Sequence, residues 1–144
     1  FTKCANAACT AASAFRTLDD SAQNDVGTYS SIAIGSDGFP VVSYHDATAG
    51  TLKVAKCMDA SCASGTLVTT VDDHPVNTVG AYTSIAIGTD GLPVISYHDY
   101  TARALKVAKC GSAACTAANT ITPVDDPANE IGRATWRARV THGV

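Results

Sequence analysis

The sequence predicts an all-β protein built from tandem repeats, and three observations support this prediction. First, one unit recurs with a period of 53 residues, because three Cys-x4-Cys pairs follow one another at that interval. Second, short β-branched and apolar runs alternate with Asp-Gly pairs, which is the residue chemistry of β-hairpins. Third, no segment combines helical periodicity with helix caps over a useful length.

The repeat is a recent duplication. Residues 27–57 and 80–110 are identical at 23 of 31 positions, and the differences include conservative ones such as Val42 against Ile95. β-rich units that recur about every 50 residues are typical of β-propeller blades, each of about four antiparallel strands.

The four strands of a unit are clearest in its second copy. Residues 82–88 predict the first strand, and the turn pair Asp90-Gly91 separates it from a second strand at 93–98. After a polar loop, residues 105–110 alternate apolar and basic side chains and predict the third strand. A Cys-bounded turn then leads to a fourth strand that ends near Asp125.

This spacing divides the single domain, residues 1–144, into a split blade and two complete blades. Residues 1–26 form a half blade, 27–79 and 80–132 are complete blades, and 133–144 form a divergent terminal strand. Two complete blades leave strand edges unpaired, so we expect the ring to close by homo-oligomerisation. A homodimer with six blades is the preferred assembly, and a trimer or an incomplete ring stays open.

Charge and hydropathy exclude several partners. The net charge of -3 argues against nucleic acid, and no apolar run approaches the roughly 20 residues that span a bilayer. No signal peptide pattern occurs in the chain, which starts within a repeat. We expect that the parent protein is secreted or displayed at the cell surface.

The best-preserved motifs resemble a known family. Residues 84–99 (SIAIGTDGLPVISYHD) followed by 105–110 (LKVAKC) are similar to the tandem repeats of large bacterial secreted β-propeller proteins. The resemblance extends from Cys4 to about Gly132. It implies the propeller fold and leaves the activity open, since such propellers include lectins, structural arrays and hydrolases.

The six cysteines predict three disulfides, each closing the turn between the third and fourth strands. The expected pairs are Cys4–Cys9, Cys57–Cys62 and Cys110–Cys115. Zinc is the alternative, but zinc sites more typically combine Cys-x2-Cys with a second pair or with histidines. An even count fits an exported protein, and we assign these disulfides a stabilising role.

A Tyr-His-Asp triplet ends the second strand of each complete unit and is the strongest candidate for chemistry. Imidazoles with neighbouring carboxylates can bind a divalent metal, either zinc or calcium. We predict His45 and His98 as metal ligands. Asp46, Asp99, Tyr44 and Tyr97 are predicted to support them. The alternative is architectural, because alternation places Tyr and His of one triplet on opposite faces, so that convergence has to come between blades.

Other candidates lie at the start of the first strand and in loops. Hydroxyl-bearing side chains there are predicted to line a central channel: Tyr29, Tyr82, Thr28 and Thr83. His74 is a lone loop histidine. The acid pairs Asp19-Asp20, Asp72-Asp73 and Asp125-Asp126 are expected to solvate strand ends, with calcium binding as the alternative.

Two functions follow from these patterns. The first is a metal-dependent hydrolase that acts on a small-molecule ester in the channel, promiscuous towards phosphotriesters or lactones, by analogy with six-bladed propellers that hydrolyse them. Its catalytic residues are not identified by the sequence, which lacks nucleophile-elbow, phosphate-loop and zincin motifs. The alternative is a non-catalytic carbohydrate-binding or structural repeat module. Dependence on a metal separates the two.

Overall fold

A computed structural model describes residues 1–20, 24–74, 76 and 78–125 of the chain. All of its regular secondary structure is β-strand, which confirms the predicted all-β class. Within these ranges no helix exists that is long and apolar enough to cross a membrane.

The ten described strands form one hairpin and two four-stranded antiparallel sheets. The N-terminal hairpin pairs β1 (Thr2–Cys4) with β2 (Ala12–Phe15). In the first sheet the strands follow chain order: β3 (Val26–Ile34), β4 (Pro40–Asp46), β5 (Thr51–Cys57) and β6 (Thr66–Asp72). The second sheet repeats this order with β7 (Val79–Ile87), β8 (Pro93–Asp99), β9 (Ala104–Lys109) and β10 (Thr120–Asp125).

The predicted four-strand order is confirmed in both copies. The first strand of the second copy begins at Val79, three residues earlier than predicted, because it continues through two register shifts. Gly80 lies within the first shift and Tyr82 within the second, with φ of +98° and +54°. The period-2 pattern is interrupted there, so the sequence did not reveal the beginning of the strand.

Each sheet has two distinct faces because side chains alternate along its strands. We call one the tyrosine face: Ile32, Val42, Tyr44, Lys53 and Ala55 in the first sheet, and Ile85, Ile95, Tyr97, Lys106 and Ala108 in the second. The other is the serine face: Val41, Ser43, Leu52 and Val54 in the first sheet, and Val94, Ser96, Leu105 and Val107 in the second.

The core lies where the serine face of the first sheet packs on the tyrosine face of the second. Val41, Leu52 and Val54 are fully buried there with Ile95. Thr83 and Ser43 share a hydrogen bond of 2.7 Å between their hydroxyls, which satisfies both groups at the centre of the junction. Burial of apolar surface therefore joins the two repeats.

The N-terminal hairpin lies one repeat period before β5 and β6, since Cys4 and Cys9 precede Cys57 and Cys62 by 53 residues. The three predicted disulfides are confirmed and close the equivalent turn in each unit. The predicted terminal strand at 133–144 and the last acid of the third pair, Asp126, lie outside the described residues.

Two equivalent glycines allow the energy of the junction to be measured. Gly80 and Gly27 have similar φ, +98° and +94°, so alanine is strained by the backbone at both positions. A Cβ on Gly80 would lie 2.7 Å from the Leu52 Cα, whereas nothing lies within 4 Å of one on Gly27. We expect Gly80→Ala to lower the free energy of unfolding by about 1–3 kcal/mol more than Gly27→Ala does. Urea unfolding of dilute, monomeric protein measures both, and equal losses would contradict the packing described here.

Candidate functional site

A buried cluster of polar residues joins the two sheets. The Tyr97 hydroxyl donates a 2.6 Å hydrogen bond to Asp72 Oδ2, across the junction. Lys106 Nζ lies 2.8 Å from Asp99 Oδ2 and 3.4 Å from Asp72 Oδ2. Asp72 ends the first sheet, while its partners belong to the second, so these contacts hold one repeat unit on the next.

The same cluster recurs one repeat earlier. The Tyr44 hydroxyl donates to Asp19 Oδ2 at 2.7 Å, and Lys53 Nζ lies 2.8 Å from Asp46 and 3.6 Å from Asp19. Asp19 follows the N-terminal hairpin, so this second cluster fastens the hairpin segment to the first sheet. We call both arrangements junction clusters.

Burial and hydrogen bonds shift the pKa values of several residues in the junction clusters. Burial raises the pKa of Tyr44 and Tyr97, and their hydrogen bonds to Asp19 and Asp72 raise it further. Burial alone would raise the pKa of Asp46, but the hydrogen bonds from Lys53 and from the Ala49 and Thr48 amides, together with the charge of Lys53, outweigh burial and hold that pKa below its usual value. The tyrosines therefore stay neutral donors while Asp46 stays ionised.

The residues predicted to support a metal lie in these clusters. Tyr44 and Tyr97 are buried hydrogen-bond donors, and the aspartates pair with lysines. Asp46 Oδ1 also accepts from the Ala49 amide at 2.9 Å, and Asp99 Oδ1 from the Ala102 amide at 2.8 Å. Both aspartates thus shape the loop after the second strand.

The two histidines contact threonine and tyrosine side chains. His45 is buried, and its Nδ1 lies 3.2 Å from the Thr28 hydroxyl. The rings of Tyr29 and Tyr82 lie between His45 and His98. Among the described residues, no group of three or more His, Cys, Asp or Glu is placed to hold a metal ion.

An exposed set of aromatic rings lies at this end of the two sheets. We call it the aromatic cluster: Tyr29, Tyr82 and Tyr100, flanked by His45 and His98. The three tyrosines are 43%, 61% and 42% exposed. Ring centroids of Tyr29 and Tyr82 are 4.4 Å apart, and His98 meets Tyr100 edge-on at 4.8 Å. The rings support one another while their outer surfaces remain open.

The two exposed tyrosine hydroxyls of the second copy are hydrogen-bonded to each other. Tyr100 donates a 3.1 Å hydrogen bond to the Tyr82 hydroxyl, which lowers the pKa of Tyr82 and raises that of Tyr100. Such a pair presents a polar edge next to apolar ring faces.

Backbone geometry places the first two rings of the cluster. Tyr29 and Tyr82 both have φ of +54°, a left-handed conformation that side chains larger than glycine rarely adopt. Each lies at a register shift of the first strand, between Thr28 and Ser31 or between Ala81 and Ser84. Strain at equivalent positions in both copies is typical of functional sites, where a bulge aims a side chain.

The remaining candidates separate into exposed and structural groups. Of the residues predicted to line a channel, Tyr29 and Tyr82 are exposed, whereas Thr83 is buried between the sheets and Thr28 contacts His45. His74 is exposed in its loop. Of the acid pairs, Asp19 and Asp72 lie in junction clusters, while Asp20, Asp73 and Asp125 are exposed.

Sequence reasoning missed the lysines of the junction clusters and Tyr100. A signal for Lys53 and Lys106 existed, since both recur at the 53-residue interval together with the tyrosines and aspartates they join. Tyr100 had no such signal, because Ala47 occupies its position in the first copy.

Comparisons with protein-family models, curated proteins and solved structures found no match to the chain. The described fold and site define its class without them. It is an all-β repeat protein in which junction clusters join successive units and tyrosines from two units form an exposed surface.

Removing the lysine of a junction cluster leaves a buried charge without its partner. We expect Lys53→Met to lower the free energy of unfolding by about 3 kcal/mol, because the fully buried carboxyl group of Asp46 loses the cation that balances its charge. Adding Asp46→Asn should restore part of the loss. Lys109→Met is the control, since its ion pair with Asp90 is exposed and should contribute little. A loss for Lys53→Met no larger than the control's would contradict this role.

The buried imidazole of His45 is expected to make the free energy of unfolding depend on pH. Burial lowers its pKa, although nearby Asp46 and Asp25 oppose the shift. The unfolded chain therefore binds the proton more readily, so stability is full above about pH 6.5 and falls as the pH drops below that value. His45→Gln should flatten the stability profile between about pH 7.5 and pH 5, whereas His74→Gln in the exposed loop should leave its slope unchanged. An unaltered slope in His45→Gln would show that the burial has no such effect.

Proposed function

We propose that this chain is a non-catalytic carbohydrate-binding repeat module and that the aromatic cluster is its binding surface. One observation supports this above the others: three exposed tyrosines from two repeat units pack against one another at a junction.

The chemistry of the cluster suits a sugar. An aromatic ring offers an apolar face to the C–H groups of a pyranose, while tyrosine hydroxyls offer hydrogen bonds to its hydroxyl groups. Tyr29 and Tyr82 are held by contact with each other and by their strained backbone. Less conformational entropy is lost on binding when the side chains are ordered in advance.

The repeat architecture favours multivalent binding. Tyr29 comes from the first unit, and Tyr82 and Tyr100 come from the second, so the site is a property of the junction. We propose that the sheets are propeller blades with β3 and β7 innermost, so that each further junction adds a related site. Avidity then rises without new contacts at any one site.

The three disulfides support an extracellular role. Disulfides persist in oxidising compartments such as the cell exterior, where glycans are abundant ligands. We propose that the protein is secreted or displayed at the surface, in agreement with the expectation from its cysteine count.

Metal-dependent hydrolysis is the second candidate. His45 Nε2 and His98 Nδ1 are buried and make no hydrogen bond within the described part of the chain, which favours a ligand for these nitrogens. Against it, two tyrosine rings separate the histidines, and Asp46 and Asp99 are engaged by lysines. Hydrolysis of phosphotriesters or lactones with zinc or calcium is therefore the weaker proposal.

The binding proposal predicts a ligand that depends on the tyrosines. A glycan array identifies the sugar, and titration calorimetry should then show that Tyr82→Ala weakens its affinity at least tenfold, because the central ring of the cluster is removed. Phe15→Ala is the matched control, since Phe15 is an exposed aromatic residue on β2, outside the aromatic cluster.

The same samples test the hydrolase. Binding should persist in EDTA, and lactones and phosphotriesters should not turn over. Absence of glycan binding together with turnover that EDTA abolishes would overturn the proposal in favour of the metal-dependent enzyme.

A further inference from the structure

The two tyrosine faces have nearly the same sequence but differ in burial. Ile85 in the second sheet is 8% exposed because the first sheet covers it, whereas its equivalent Ile32 is 51% exposed. A Cβ on Gly80 would lie 2.7 Å from the Leu52 Cα, whereas one on Gly27 would meet nothing within 4 Å. The β3 part of the first tyrosine face is therefore uncovered, whereas the equivalent part of the second tyrosine face is covered by the first sheet.

The two serine faces show the converse difference. Leu52 is fully buried under the second sheet, whereas its equivalent Leu105 is 44% exposed. Val94 and Val107 are partly exposed, whereas their equivalents in the first sheet, Val41 and Val54, are fully buried. Among the described residues, the serine face of the second sheet is therefore uncovered, whereas the equivalent face of the first sheet is covered in the junction.

We propose that these two open faces bind each other in different copies of the chain. The serine face of the second sheet of one copy docks on the tyrosine face of the first sheet of the next copy. The junction inside the chain is the template for this contact, because Ser96 and Leu105 are identical to Ser43 and Leu52 that form it. This inference does not depend on carbohydrate binding.

Polar groups complete the match. In the internal junction the Thr83 hydroxyl bonds to Ser43, and between copies Ser30 takes the place of Thr83 opposite Ser96. Asp125 is exposed at the end of β10 and is the repeat equivalent of Asp72. In the docked pair Asp125 binds Tyr44 and Lys53 of the next copy, as Asp72 binds Tyr97 and Lys106.

Asp19 now occupies the position that Asp125 would take. It accepts from Tyr44 and pairs with Lys53, and the Thr66 hydroxyl donates to the Leu18 carbonyl at 2.8 Å. A cleft of about 310 Å³ remains between this segment and the first sheet, lined by Phe1 and Val42 among others. The N-terminal segment covers the outer part of the face, and an incoming sheet displaces it.

Asp19 and Asp125 of a neighbouring copy compete for the same partners, Tyr44 and Lys53. A change in either aspartate therefore changes the strength of the contact between copies. Because the two faces differ, the association is head to tail and leaves one open face of each kind in every pair of copies. Such contacts continue until a ring closes. A ring of two copies contains four complete sheets and a ring of three copies contains six, because each copy contributes two.

Two variants, each with one of the two faces disabled, test the proposal. Both also carry Asp19→Ala, which weakens the binding of the N-terminal segment to the tyrosine face of the first sheet. The Asp19→Ala background should associate at least tenfold more tightly than the unaltered chain in sedimentation velocity. Adding Ile32→Asp disables the tyrosine face, and adding Leu105→Asp disables the serine face, because each buries an unpaired carboxylate in the contact. Each of these variants alone should sediment as a 14.7 kDa monomer.

The mixture of the two variants is the decisive sample. One intact face of each kind remains, so an equimolar mixture should form a heterodimer and stop there. Met58→Asp, in the exposed disulfide loop, is the control and should associate like the Asp19→Ala background. Head-to-tail docking would be overturned if the mixture or the Asp19→Ala background stayed monomeric. It would also be overturned if either single-face variant associated with itself.

Discussion

The structure depends on a hydrogen bond between a buried tyrosine and an aspartate that belongs to the preceding repeat. Tyr97 and Asp72 form it at 2.6 Å, and Tyr44 and Asp19 form it at 2.7 Å. Neither partner can remain buried alone without losing a hydrogen bond that water would otherwise supply. The bond therefore fixes the distance and the register between units, and the lysine beside it balances the charge. A repeat unit is consequently completed by its neighbour.

Because each unit depends on the one before it, equivalent strands of nearly identical sequence differ in how far they are buried. Strands β3 and β7 have the same length and pair in the same register, yet only β7 packs on a preceding complete sheet. The difference is positional, since what covers a strand is decided by the unit before it. The aromatic cluster follows from the same rule, because Tyr29 and Tyr82 meet only when two units stand side by side.

Much of this fold could be predicted from the sequence and less of the site. The 53-residue period, the Asp-Gly turns and the cysteine spacing correctly predicted the strand order and the three disulfides. The triplet at the end of the second strand also suggested chemistry, but Tyr44 and Asp46 proved to lie in a junction cluster. Alternation shows which side of a strand a residue occupies, whereas it does not show what packs against that side. Tyr100 could not be predicted because it differs between the copies.

Native-state hydrogen exchange of matched backbone amides tests the central claim, that each unit is completed by the one before it. Ile32 and Ile85 lie at equivalent positions of β3 and β7, each opposite the equivalent residue of the second strand, Val42 or Ile95. The Ile85 amide donates to the Ser31 hydroxyl across the junction at 3.3 Å. In dilute monomeric protein the account predicts slower exchange for β7 than for β3, because β7 opens only when the junction opens. Equal protection of the two strands, or greater protection of β3, would contradict it.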